Sequence, residues 1–144
     1  MRISCLFDTN AISEMARPEP NPQLRESFAS HEGLVAVPAI VWHELLFGVA
    51  RLPDGRQKRR LRAFLLDVMA PGVPVLPYDG HAAWIHADLR AEGELSGHPS
   101  PFVDAQIAAI ALADNVILVT RNTPDFSSYR SLMLENWFAE SDGG

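Results

Sequence analysis

One cysteine and one lysine are all that the 144 residues contain, and each scarcity excludes something. With Cys5 alone, neither an intrachain disulfide nor a cysteine zinc cluster can form; inside the apolar stretch ISCLF it reads as a small core residue, at home in a reducing cytoplasm. A response-regulator receiver, whose acid pocket sits at a parallel sheet, needs a lysine after a late strand, and Lys58 is the only one. No apolar run approaches the ~18 residues of a membrane span. Arg2 is followed by Asp8 too soon for the hydrophobic region of a signal peptide, so neither membrane insertion nor export is expected. No nucleophile elbow and no phosphate-binding glycine loop appears. Positive charge is short too: a net charge of −6 argues against gripping nucleic acid by overall electrostatics, because counterion release needs Lys and Arg at the phosphates.

What is present suits an ordinary globular domain, with 47% apolar and 21% charged residues. A chain of this size buries roughly two-thirds of its unfolded surface. One domain over residues 1–140 is expected, with SDGG at 141–144 as a frayed, disordered tail. Strands are predicted at 3–7, 34–38, 73–77, 116–120 and 131–137. Helices are predicted at 10–15, 21–30, 39–52, 54–69, 79–95 and 102–114, the last entered through Ser100 as cap and Pro101 at its first position. In the 54–69 helix, Leu61, Phe64, Leu65 and Val68 form the inward stripe. Short, almost wholly apolar strands alternating with helices imply an α/β fold with a central parallel sheet flanked by helices. In that architecture functional groups collect beyond the carboxyl ends of the strands.

Several acids fall in that region. Asp8 ends the first strand, where it could be a helix N-cap, though Thr9 and Asn10 would serve equally. Glu44 lies mid-helix in PAIVWHELLFGVARL, apolar nearly all round and therefore expected to be buried; a buried carboxylate needs a partner, an arginine or a cation. Asp104 sits in the first turn of its helix, favoured by the dipole, yet shares a face with Ile107, Ala108 and Ala111. Asn122 and Asp125 follow the strand VILVT as ordinary turn residues would. Each has a local explanation, but together these need several coincidences. Carboxylates sharing a pocket repel, and cations relieve that repulsion. Oxygen ligands without Cys or clustered His select Mg²⁺ or Mn²⁺ over Zn²⁺.

FDTNAISE, HELLFG, PFVDAQIAAIA and VTRNTPDF, in this order and spacing, resemble the four signature blocks of the PIN domain. More closely they resemble the VapC-type toxins of bacterial toxin-antitoxin pairs, and DTNAISEMARPEPNP is similar to the FitB branch of that group. The resemblance implies a metal-dependent ribonuclease with a three-layer α/β/α fold. Its acidic pocket would comprise Asp8, Glu44 and Asp104, with Asp8 and Asp104 on the principal Mg²⁺, for which Mn²⁺ could substitute, and Glu44 on a second ion or on the water. Where the FitB branch has a fourth acid this chain has Asn122, while Asp125 matches the acid of the common VapC pattern, so either completes the pocket. Thr9 and Asn10 match the hydroxyl and amide bracing the first acid, and Thr120 matches a polar residue at the pocket edge. The resemblance also implies a small cognate antitoxin of the VapB or FitA kind, homodimers, and contact with promoter DNA only through the antitoxin complex.

The one basic cluster, RQKRRLR at 56–62, places Arg56, Arg59 and Arg60 on one helical face, either solvated or a phosphate track toward the pocket. His81 and His86, five apart, share no face and are poor metal partners. The alternative to an enzyme is a non-catalytic module with this fold that regulates or binds through a partner protein.

Overall fold

In the computed structural model, which describes residues 2–138, the elements assemble largely as the pattern predicts. The strands are β1 (Cys5–Phe7), β2 (Val35–Pro38), β3 (Val75–Leu76), β4 (Ile117–Val119) and β5 (Leu134–Glu135). The helices are α1 (Thr9–Met15), α2 (Pro22–Ser30), α3 (Ala39–Ala50), α4 (Arg56–Ala63), the single turn α5 (Ala70–Gly72), α6 (Gly80–Leu95), α7 (Phe102–Asp114) and α8 (Thr123–Phe126). The predicted tail at 141–144 lies outside the described residues. Among these, no helix is long and apolar enough to cross a membrane.

All strand pairs are parallel and run in the order β3-β2-β1-β4-β5 within a three-layer α/β/α arrangement. The chain steps outward from β1 through β2 to β3, then returns to β1's other side for β4 and β5. The order therefore reverses between β1 and β4, where a parallel sheet opens a crevice at its carboxyl edge. Register fixes what stands there: Phe7 pairs with Val119, so Asp8 and Thr120 leave the sheet side by side.

The strands are apolar because both faces are covered; Leu6, Phe7, Val37, Leu118 and Val119 are all buried. Phe7 packs on Phe28 at 5.6 Å and meets Trp137 edge-on at 5.5 Å. Alanines at 105, 108, 109 and 111 let α7 lie close against its neighbours, with Ile107 and Ile110 buried beside them. Asn115 ends α7 in the left-handed region (φ 56°, ψ 48°) while its N–H returns to Ala111 and Leu112. Asn115→Val should cost about 1 kcal/mol in that conformation, read as a lower urea midpoint, whereas Asn115→Gly should cost nothing.

Several expectations are corrected. The 54–69 helix breaks into α4 and a π-helical segment, Phe64–Met69; its wider turn brings Leu65 and Met69 inward and turns Val68 outward to 60% exposure. Ser100 does not cap α7, since Pro101 occupies that position without a side-chain bond and the Ser100 side chain bonds the Tyr129 phenol instead. The stretch TPDF, expected as a turn, is the short helix α8, with Pro124 in its first turn. The predicted strands at 73–77 and 131–137 shrink to the two-residue edges β3 and β5.

Candidate active site

Asp8 is 5% exposed and sits at the reversal point. As N-cap of α1 it accepts the Ala11 N–H at 2.9 Å through Oδ1, and also the backbone N–H of Asn10. Capping thus explains part of its position. Thr120, fully buried, explains more: its hydroxyl donates to the Asp8 carboxylate and accepts the Asn122 N–H at 3.0 Å. One side chain therefore ties the end of β1 to the segment that follows β4.

Asp104 stands in the first turn of α7, and its charge reaches Asp8. Burial raises the pKa of Asp8, and the charge of Asp104 raises it further against the opposing hydrogen bonds. Burial raises Asp104 in turn, with the charge of Asp125 adding to it. Asp8, Asp104 and Asp125 are thus an electrostatically linked series brought together from three separate elements. Asn122, the N-cap residue just before α8, is exposed, its side chain making no cap bond.

Glu44 departs from expectation. It is not buried: its side chain is 45% exposed and lies 3.8 Å from His43 Nδ1. The physical reason is that α3 is covered on one side only, with Val41 its one buried residue and Leu46 and Phe47 left at the surface. Glu44 and Thr9 line one cleft of about 310 Å³, which Ser13 and Gly48 also border. Gly48 is not demanded by crowding, since an added Cβ would meet nothing within 4 Å.

Asn10 is exposed and borders a second cleft, of about 480 Å³, with Ser13, Glu14, Arg17 and Arg121. Glu14 is a residue that the sequence pattern does not single out. Its carboxylate accepts the Asn21 N–H at 2.9 Å and pairs with Arg17 at 3.3 Å, holding the proline-rich turn after α1. Tyr129 escapes the pattern too: it is buried, and burial raises its pKa, with the charge of Asp104 adding to the effect. Only its place in a folded turn, not its spacing, reveals it. On α4, Arg56 and Arg59 face solvent, while Arg60 donates to the Ala16 carbonyl at 2.9 Å and anchors α4 to that same turn.

Among the described residues, no three His, Cys, Asp or Glu side chains stand close enough together to hold one ion. The donor chemistry nevertheless fits Mg²⁺ or Mn²⁺. Two linked carboxylates with raised pKa values are what a divalent cation would relieve, and such ions take one or two carboxylates and complete their shell with water and phosphate oxygen. Cys5 is buried in the core and the linked series holds no His, which disfavours softer metals.

Comparison with known proteins adds an independent finding. The PIN domain profile matches residues 5–131. A VapC ribonuclease of Sinorhizobium fredii is 32% identical over 92% of this chain and 96% of its own. Toxin FitB of Neisseria gonorrhoeae is 32% identical over 92% and 97%. A solved structure of FitAB bound to a DNA fragment superposes with a TM-score of 0.84 at 29% identity, covering 97% of this chain and 99% of that one.

Proposed function

The chain belongs to the PIN domain family, and from that membership we propose that it is a divalent-metal-dependent endoribonuclease, the toxin of a toxin-antitoxin pair. The observation that carries the reading is the linked series Asp8, Asp104 and Asp125 at the sheet's reversal point, with Thr120 bonded to the first member. When bound, Mg²⁺ or Mn²⁺ would neutralise charge at the phosphodiester and make water more acidic. Asp8 and Asp104 would hold the ion. Thr120, which donates to Asp8, would hold that carboxylate's orientation toward the ion. Glu44, accessible in the cleft beside Thr9, would accept the attacking water's proton or hold a second ion. Asp125 and the exposed Asn122 would complete the pocket from the α8 side, and the exposed Arg56 and Arg59 would offer phosphate contacts.

Partners follow from exposed apolar area. Leu46 and Phe47 on α3 with Leu66 and Val68 on the π segment leave more than a lone monomer needs, which supports a cognate antitoxin of the VapB or FitA kind covering them. Trp84 on α6, 74% exposed, with Phe102 and Val103 on α7, supports a homodimer. Promoter DNA would be met through the antitoxin, as the net charge of −6 favours no direct grip. The site of action would be the cytoplasm, where RNA is plentiful.

The direct test is to incubate purified protein with total RNA and sequence the newly formed ends. Discrete ends should appear with Mg²⁺ or Mn²⁺ and vanish with chelator. Intact RNA with either metal would leave the non-catalytic module as the better reading.

A further inference from the structure

The series of acids accounts for cleavage chemistry but not for which nucleotide is presented to it. Beyond the α7 side lies a cleft of about 590 Å³ between the end of α6, the loop 96–101 and the segment after α8. Its lining is mixed. Leu89 and Leu95 supply apolar surface, Glu92 an acceptor, Arg130 a fork of donors, and His98 a ring. A bare phosphate would meet repulsion from Glu92. A nucleobase, flat and apolar on its faces with donors and acceptors at its edge, matches the whole set.

The cleft is built rather than incidental. A Cβ on Gly93 would come within 3.0 Å of the His98 carbonyl oxygen and 3.3 Å of the Ser100 nitrogen, so the loop lies on α6 at contact distance. The His98 N–H donates to the Gly93 carbonyl at 2.8 Å. His98 Nδ1 stands 2.9 Å from the Ser96 carbonyl, which can only accept, so Nδ1 carries a proton and, in the neutral ring, Nε2 is the acceptor. Tyr129 joins this cleft to the acids. It lines the cleft, is held by Ser100, and its phenol feels the charge of Asp104. Asp125, on α8, precedes it by four residues in the chain.

We propose that this cleft seats the base of a nucleotide adjoining the phosphodiester cut at Asp8 and Asp104, with Glu92, His98 and Arg130 reading the base edge. Its adjacency to a scissile bond rests on the ribonuclease reading; the base site itself does not. The first experiment is therefore independent of cleavage: titrate the protein in EDTA with each of the four ribonucleosides and follow the His98 ring resonances by NMR. One base type should shift them most, and Arg130→Ala and Glu92→Ala, both exposed in the parent, should each weaken that response about fivefold or more. The second compares cleavage of a randomised short RNA pool, where both variants should flatten the parent's base preference at one position beside the cut by a similar factor. A His98 ring that responds to no nucleoside, or variants that keep the parent's preference, would overturn the proposal. A parent that cuts no RNA yet shows the nucleoside response, lost in the variants, would sustain the base site and remove the ribonuclease reading.

Discussion

Asp8→Asn and Asp104→Asn are each expected to lower RNA cleavage at least about 10³-fold, because losing a metal-holding carboxylate forfeits several kcal/mol of charge stabilisation and each ~1.4 kcal/mol is a factor of ten. Folding should survive both changes. Asn is as good an N-cap as Asp, so the amide oxygen introduced by Asp8→Asn keeps the bond to the Ala11 N–H. No cation sets the ionisation of Asp104, whose influences are burial and the charge of Asp125. The variants should in fact be more stable than the parent in chelator at neutral pH. Burial and neighbouring carboxylates raise both pKa values above the ordinary 3.8, so the fold favours the protonated forms. That contribution is complete below the ordinary carboxylate range and is lost as pH rises through the raised values. The advantage of the Asn variants should therefore be seen as a higher Tm at pH 7 and should fade as pH falls toward 3.8. Divalent metal at about tenfold its Kd should raise the parent's Tm by about 4 °C, from about 1.4 kcal/mol of linkage, and should do little for Asp104→Asn. A parent Tm indifferent to Mg²⁺ and Mn²⁺, or an Asp104→Asn protein that cuts RNA at the parental rate, would refute the assignment.

Thr120→Val should cost about 10- to 100-fold in cleavage, the range for groups that orient a metal-holding side chain from behind. The substitution keeps shape and burial while deleting a hydroxyl that serves both Asp8 and the Asn122 N–H. Two consequences separate this positioning role from a merely structural one. The half-saturating Mg²⁺ concentration should rise along with the loss of rate, and Thr120→Ser, which restores the hydroxyl, should recover most of both. Equal defects in Thr120→Val and Thr120→Ser with an unchanged metal requirement would mean that Thr120 only fills space.

Particular elements explain how far the linear chain can be read. VILVT and ISCLF form β4 and β1 because strands covered on both faces carry their signal in every residue. Asp8 is recognisable because it breaks such a run. The edge strands β3 and β5 are shorter than their composition suggests, since two residues of pairing leave little trace in it. The Phe64–Met69 segment misleads because a π turn keeps helical composition while shifting its period, which is why Met69 rather than Val68 is buried. Glu44 misleads because an apolar sequence shows that a face avoids water, not what covers it.

The α/β class, the parallel sheet and the acids worth watching were legible in the linear chain, because periodicity and chain punctuation are local properties written in neighbouring residues. Folding in three dimensions was needed to bring β4 back beside β1, to stand Thr120 behind Asp8, to set Tyr129 within reach of Asp104's charge, and to leave α3 half uncovered. Those are consequences of which distant segments meet, and a contact between segments so far apart in the chain leaves no pattern in either one alone.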